Sequence, residues 1–390
     1  MIFLASSTSG NVGYAVYAIS IPWLTYSVSH SFLVVGVALF IELASYAGVF
    51  LVGTIVDRVA NQRSIFLWCY PPMAVAATVI GLGASRGFLS VGLLLGLVAV
   101  ISILWDLVWA ADNAAPGILL TTDQQFAAQG LTGMVGGTNA IAGYAAGGVL
   151  ILLVGPSGGM FVYAVLLLVG AGLAIPLRII PPDHGAQSFR ESFWEGWRFV
   201  VGGIGRPLLQ LGIVDGVQGF FLAAPALFIT LLATTTFHTE ALAYSLLFVA
   251  YVVGGAAAGW AFGQWNPRTR VGPLFGLTLL AVAGTVAIAV ASLPWLALEA
   301  AIWFGVGFTW SSYTDVKYAF LRGIIPPGQL ARVTSNLWIF PGTASAAGAL
   351  VLGSLATHAD PTGFGVVILV GFLGAGLLAL LMPAVRAMRY

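Results

Sequence analysis

The chain has 390 residues, of which 59% are hydrophobic and 7% are charged, and its formal net charge is +1. A soluble domain carries about 25% charged residues, so this composition excludes a soluble fold. The near-neutral charge indicates no nucleic-acid partner. The apolar runs are nearly continuous, whereas the strands of a membrane β-barrel alternate apolar and polar residues. We therefore predict an all-α polytopic membrane protein.

Turn residues and charges divide the chain into about twelve apolar stretches, each near the roughly 20 residues that one membrane crossing needs. The predicted spans are 5–27, 31–56, 64–84, 88–114, 126–154, 158–180, 207–234, 240–263, 271–292, 295–320, 330–356 and 362–385. We expect two six-helix bundles, 1–181 and 207–390. A cytoplasmic linker with an amphipathic surface helix is expected to join them at 182–206.

Basic residues give the orientation. Twelve of the fourteen fall on one side of the predicted bundle, while Arg86 lies opposite and Lys317, the single lysine, lies in or at the end of a span. Cytoplasmic loops are enriched in Lys and Arg. Both termini are therefore expected in the cytoplasm, with the protein in the plasma membrane.

No metal or cofactor site is expected. Cys69 is the only cysteine, which excludes an internal disulfide and a cysteine-based metal site. No ATPase or phosphate-binding motif is present, so the energy for any transport should come from an ion gradient. The histidines all fall at loops or span ends: His30, His184, His238 and His358.

A weak internal repeat relates the two predicted halves at an offset of about 205 residues. Trp105 in span 4 matches Trp310 in span 10, and Gly53 at the end of span 2 matches Gly259 at the end of span 8. Homologous halves are common in secondary transporters.

The loop between spans 2 and 3 carries a motif, which reads Gly53-Thr54-Ile55-Val56-Asp57-Arg58-Val59-Ala60-Asn61-Gln62-Arg63. It resembles the signature loop of the major facilitator superfamily, Gly-x-Leu-x-Asp-Arg-x-Gly-Arg-Arg, but departs from the Gly-Arg-Arg part. The resemblance implies two halves that rock about a central site, with a charge latch at the cytoplasmic face. The expected latch residues are Gly53, Asp57, Arg58, Arg63, Asp112, Asp315 and Arg268.

Three other stretches, 10–24, 113–116 with 129–130, and 193–199, resemble the macrolide-efflux and enterobactin-exporter branch of drug:proton antiporters. Tyr14 stands where that branch often has an acidic residue. The resemblance implies proton-coupled export of a small amphipathic or lipophilic molecule, either a drug or a siderophore-like compound.

Helix 5 carries a glycine-rich stretch, Gly143-Tyr144-Ala145-Ala146-Gly147-Gly148. It resembles the antiporter signature Gly-Pro-x-x-Gly-Gly, with Tyr144 in place of Pro. The alternative interpretation is a small-residue face for helix packing.

Charged side chains inside predicted spans cost at least ~2.5–3.5 kcal/mol each and are usually functional. Glu42, Asp106 and Asp215 are the proton-coupling candidates, because desolvation disfavours a charged carboxylate and lets it exchange a proton near neutral pH. The alternative is a structural carboxylate that accepts a hydrogen bond from a neighbouring helix. We expect Lys317 to snorkel to the interface and Glu299 to be solvated at the outer face.

In the fold that the resemblance implies, helices 1, 4, 7 and 10 surround the cavity, and each carries a polar or aromatic stripe here. The cavity candidates are Asn11, Tyr14, Tyr17, Trp105, Trp109, Gln218, Trp310 and Tyr313. Such aromatic rings suit a lipophilic or cationic solute.

We expect a monomer in the lipid bilayer that binds a small-molecule substrate and uses protons as the coupling ion. The alternatives are an uptake carrier or uniporter for a metabolite or metal chelate, and a non-transporting membrane sensor with the same fold. An enzyme is not expected, since the sequence offers neither a catalytic histidine nor a clustered acid pair.

Overall fold

A computed structural model gives the architecture of most of the chain. It describes residues 2–46, 52, 55–56, 59–119, 122–180, 194, 198, 205–237, 240–263, 272–291, 295–325, 333 and 336–388. Every regular element within these residues is a helix. The predicted linker helix lies outside them, apart from the isolated positions Trp194 and Arg198.

Thirteen helices are assigned in the described part of the chain. The first group comprises α1 (Ile2–Ser29), α2 (Phe32–Tyr46), α3 (Arg63–Arg86), α4 (Val91–Leu119) and α5 (Thr122–Ala174). The second comprises α6 (Gly205–Phe220), α7 (Ala224–Thr235), α8 (Glu240–Gly263), α9 (Gly272–Val290), α10 (Leu296–Ile324), α11 (Ile339–His358), α12 (Pro361–Leu381) and α13 (Pro383–Arg386).

The described helices correspond to twelve membrane crossings, which confirms the predicted fold class. The 53-residue α5 supplies two of them, because Gly155 has φ 72° and ψ 174° and Pro156 follows it. A proline lacks the N–H that would continue a helix, but it fits at a helix start. Conversely, α6 and α7 form one crossing, Pro207–Thr235. Within the residues that the structure describes, eight stretches are long and apolar enough to span a bilayer alone.

Local sequence explains where several helices begin and end. Gly87 adopts a left-handed conformation, φ 73°, and its N–H donates to the Gly83 carbonyl, which ends α3. At the start of α12, Asp360 accepts a hydrogen bond from the Gly363 N–H, and Pro361 takes the first helical position. Proline is favourable there because its missing N–H would have no intrahelical acceptor.

The chain divides into two compact units, Met1–Gln187 and Ser188–Tyr390. In the first, α1 packs along α5, α3 contacts α4 and α5, and α2 contacts α1 and α4. In the second, α8 packs along α10, α9 along α12, and α6 along α11. The first assigned helix of each unit is thus paired with a later helix of the same unit, α1 with α5 and α6 with α11.

Glycines allow the closest of these helix pairs. A Cβ added at Gly143 would lie 2.6 Å from both the Ala15 Cβ and the Val12 carbonyl oxygen, and one at Gly147 would lie 2.5 Å from Ile19 Cγ2. The glycines of the antiporter-like stretch therefore form a packing face for α1. This geometry supports the packing interpretation of the stretch and leaves its link to export a prediction.

Candidate functional sites

The first site lies within the Met1–Gln187 unit, where α1, α2 and α4 meet. The Tyr14 hydroxyl of α1 donates a hydrogen bond to Glu42 Oε1 of α2 at 2.5 Å. The Tyr14 ring stacks on Trp105 of α4, with centroids 4.1 Å apart and planes 1° apart. Three residues that sequence analysis assigns separately, one to proton coupling and two to the cavity, thus form one contiguous group.

Asp106, next to Trp105 on α4, adds a second carboxylate to this site. Its side chain is 3% exposed and lies near enough to Glu42 for the two charges to interact. The Ser45 hydroxyl lies near Asp106 and donates a hydrogen bond to the Glu42 backbone carbonyl oxygen at 2.7 Å. Among the residues that the structure describes, neither Glu42 nor Asp106 forms an ion pair with a basic side chain. Their environment is made of hydroxyl groups and aromatic rings.

More tyrosines lie near Tyr14 and Glu42. The Tyr17 ring centroid is 5.7 Å from that of Tyr14 and 5.1 Å from that of Tyr163. Tyr144 and Tyr163, both on α5, are close enough to interact electrostatically with Glu42. Tyr17 is fully buried, so it supports the Tyr14 ring from inside the unit.

A separate polar contact joins α1 to the later turns of α4. Asp112 Oδ2 accepts hydrogen bonds from Ser7 Oγ at 2.9 Å and from Asn11 Nδ2 at 3.2 Å. Asn11, a cavity candidate, therefore bonds with Asp112. Asp112 Oδ1 is buried and has no hydrogen-bond partner among the described residues. Trp109, one turn earlier on α4, is 39% exposed.

The structure describes three of the seven predicted latch residues, Arg63, Asp112 and Asp315. Arg63 donates from Nη1 to the carbonyl oxygens of Ile175 at 2.8 Å and Leu177 at 3.3 Å. It therefore ties the start of α3 to the segment after α5. Asp315 lies beside Gly259, where an added Cβ would be 3.9 Å from Asp315 Oδ2. The remaining latch candidates lie outside the described residues: Gly53, Asp57, Arg58 and Arg268.

The second site lies within the Ser188–Tyr390 unit, between α6 and α10. The Lys317 ammonium is 3.1 Å from both carboxylate oxygens of Asp215. The Tyr313 hydroxyl donates to Asp215 Oδ1 at 2.7 Å. Both members of the ion pair are buried. Lys317 and Tyr313 are four residues apart and so share one face of α10.

Aromatic faces enclose the Lys317 ammonium. It lies 5.7 Å from the Tyr313 ring centroid, 5.0 Å from that of Tyr318 and 5.6 Å from that of Trp338, all within cation–π range. A narrow crevice beside the ion pair, lined also by Leu337, has room for about one water molecule. The expected snorkelling of Lys317 is therefore wrong, because the buried Asp215 carboxylate holds the ammonium inside the unit.

Three further polar or aromatic residues of this unit are buried. Trp310 is 6% exposed, and its ring is 4.7 Å from that of Phe372 in an edge-on arrangement. Gln218, one turn after Asp215, is buried. Glu299 is fully buried at the start of α10, so the expectation that it is solvated is wrong. The sequence suggested solvent exposure because Glu299 lies close to a predicted outer loop. The packing of the helices buries it instead.

Solved structures share this arrangement of helices. The nucleoside transporter NupG superposes with a TM-score of 0.73 at 12% sequence identity, covering 98% of each chain. A point mutant of NupG superposes with a TM-score of 0.74 at 11% sequence identity, also covering 98% of each chain. The fold is that of the major facilitator superfamily. A bacterial homologue of the iron transporter ferroportin, solved in an inward-facing state, gives 0.68 at 14% identity, covering 97% of this chain and 96% of the other.

Similarity in sequence is much weaker than similarity in fold. No protein-family model matches the chain, and no curated protein matches it. Identities of this size show a shared fold, and the major facilitator fold hosts many functions. The function of this multi-pass membrane protein is therefore argued from its own residues.

Proposed function

We propose that the protein is a secondary active transporter that works by alternating access and couples proton movement to the export of a small amphipathic or lipophilic molecule. The observation that carries this proposal is the pair of carboxylates in the first unit, the buried Asp106 and the partly buried Glu42. Buried ionisable groups inside membrane spans are costly and commonly belong to ion pathways. A carrier has a use for such groups, whereas a passive membrane scaffold does not.

The surroundings of this carboxylate pair suit reversible protonation. Where two carboxylates interact, each disfavours the charge of the other. Hydroxyl groups can accept from a protonated carboxyl and donate to a charged one, so they accommodate both states. We propose that a proton from outside enters this pair and favours one conformational state. The solute then competes with the protonated state.

Asp215 takes a different role in this proposal. Protonation of Asp215 would leave the Lys317 ammonium buried without its counterion, and an unpaired buried charge costs several kcal/mol. Asp215 is therefore proposed to exchange a proton only when its ion pair with Lys317 opens. Opening of the pair would accompany a change of conformational state.

The proposed cavity groups follow the aromatic stripes. Tyr14 and Trp105 present a stacked aromatic pair beside the carboxylates, and such a lining would suit a solute with a flat apolar part. The solved neighbours are named as transporters of nucleosides and of iron. Because these solutes differ so widely, the choice of solute in this fold rests with the cavity side chains and not with the helices.

The remaining predictions complete the proposal. Asp57 and Arg58 would form the cytoplasmic latch, with Asp112 as a partner whose Oδ1 is available among the described residues. The protein would act as a monomer in the plasma membrane, with both termini in the cytoplasm.

The proposal is tested with purified protein in liposomes that contain a pH-sensitive dye. A panel of lipophilic cations, macrolides and siderophore-like chelates is added from outside. We expect at least one compound to evoke proton movement, and we expect Asp106→Asn to abolish it. Counterflow of a compound without proton movement would replace the proposal with a uniporter. Compound binding without either flux would indicate a sensor.

A further inference from the structure

Tyr14 contacts both Glu42, a member of the proposed proton-binding pair, and Trp105, a member of the proposed cavity. Its hydroxyl donates to Glu42 Oε1 at 2.5 Å, and its ring lies flat against Trp105 at a centroid distance of 4.1 Å. The hydroxyl and the ring belong to one rigid group. A change in the hydrogen bond to Glu42 therefore changes the position of the ring against Trp105.

The strength of this hydrogen bond depends on the charge of Glu42. A hydroxyl that donates to a carboxylate forms a bond roughly twice as strong as one between neutral groups. A charged carboxylate can only accept, whereas a protonated carboxyl also donates and can turn towards another acceptor. A proton on Glu42 therefore weakens the restraint that keeps the Tyr14 ring on Trp105.

The groups that face Glu42 come from three helices. They are Tyr14 from α1, Asp106 from α4, and Tyr144 and Tyr163 from α5. Among them, Tyr14 is the one that the structure shows stacked on Trp105. A charge change on Asp106 would reach Trp105 through the adjoining backbone and would not need Tyr14. A charge change on Glu42 would reach Trp105 through Tyr14.

We infer that Tyr14 is a positioning residue that transmits the protonation state of Glu42 to Trp105. A charged Glu42 holds the stack closed, and a protonated Glu42 releases it and opens the Trp105 face to a planar apolar part of the solute. This inference rests on the proposed proton coupling and deepens it, because it names the link between the proton site and the solute site. The solute class that it implies contains an aromatic or conjugated ring.

The test follows Trp105 by fluorescence as the pH of a solute-free sample is varied. Each protein is measured against the same protein carrying Trp105→Phe, because the difference isolates one of the twelve tryptophans. We expect the difference emission of the wild-type protein to change with pH through a single midpoint. Tyr14→Phe keeps the ring but removes the hydroxyl, so it should abolish the change. Glu42→Gln should abolish it too.

Two variants provide controls. Tyr26→Phe removes a hydroxyl near the other end of α1, where the ring packs against Phe32, and should keep the pH response. Asp106→Asn should also keep a response, with a shifted midpoint because a neighbouring charge is lost. A response that survives in Tyr14→Phe would overturn the inference, as would a wild-type emission that does not change with pH. A response lost only in Asp106→Asn would show that Trp105 senses its sequence neighbour directly.

The fluorescence readout separates a failure of this inference from a failure of the transport proposal. The sample contains neither solute nor a proton gradient, so a failure here leaves the flux result unchanged. Thermal unfolding of Tyr14→Phe and Glu42→Gln in detergent checks that both variants remain folded.

Discussion

Single residues show that the two units stabilise a buried carboxylate in different ways. Asp215 is paired with Lys317 and accepts a hydrogen bond from Tyr313, so its charge is neutralised inside its own unit. Glu42 and Asp106 have hydroxyl neighbours and, among the described residues, no basic partner. The first arrangement stabilises one charge state, and the second accommodates two.

Lys317→Met tests the energetic side of this contrast. Removal of one partner from a buried ion pair leaves the other charge uncompensated, which typically costs about 3–5 kcal/mol. We expect a clear loss of thermal stability for the purified protein in detergent. The double variant Asp215→Leu with Lys317→Met removes both charges and should recover most of the loss. Equal destabilisation in the single and double variants would contradict a paired charge.

Sequence reasoning identified the members of these sites but not their partners. Glu42, Asp106 and Asp215 are visible in the sequence because any charge in an apolar span is conspicuous. The pairing of Asp215 with Lys317 depends on the rotation of α10 about its axis and its approach to α6, which no local pattern encodes. The Tyr313 and Lys317 spacing was the usable signal, since both lie on one helical face.

At the level of helices, close packing of α8 and α10 depends on particular glycines. A Cβ at Gly307 would collide with the carbonyl oxygen of Tyr251, and one at Gly254 with that of Phe304. Sequence analysis found the helices themselves, because long apolar runs leave few alternatives. It offered the stretch with Gly143 and Gly147 as a packing face, but it did not single out Gly254 or Gly307.

Gly307→Ala and Gly305→Ala form a matched pair on α10. At Gly305 the nearest atom to an added Cβ is Thr285 Cγ2 at 3.7 Å, an ordinary contact. We therefore expect Gly305→Ala to be neutral or to gain about 0.5–1 kcal/mol from helix propensity. Gly307→Ala should lose about 1–3 kcal/mol because it overpacks the α8 contact. Thermal unfolding in detergent measures both, and equal effects would contradict the glycine-mediated contact.

For the whole molecule, the distribution of basic residues predicts which side of the membrane the termini lie on. The positions of the helices alone do not predict this. Twelve of fourteen basic residues fall on one predicted face, and such residues favour the cytoplasmic side. A fluorescent-protein fusion at the C-terminus should therefore fluoresce, and an alkaline-phosphatase fusion at the same point should be inactive. The same two fusions placed after Arg86 should behave in the opposite way. A reversed pattern would contradict the orientation and the proposed direction of proton entry.

The architecture of twelve crossings was predictable from apolar runs that turn residues and charges divide, and the fold match over 98% of the chain agrees with it. The latch was predictable only as a motif, since Asp57, Arg58 and Arg268 lie outside the described residues. Arg63 shows why a motif is insufficient evidence for a contact. Its guanidinium bonds the carbonyl oxygens after α5, an arrangement that depends on where two distant loops meet.

The central claim, that the Glu42 and Asp106 pair couples protons to transport, is tested most directly by separating driven transport from exchange. The solute that evokes proton movement is loaded into liposomes with the wild-type protein or with the Glu42→Gln, Asp106→Asn double variant. We predict that the variant still exchanges labelled for unlabelled solute, yet no longer accumulates solute in response to a pH gradient. Gradient-driven accumulation at the wild-type level in that variant would contradict the account.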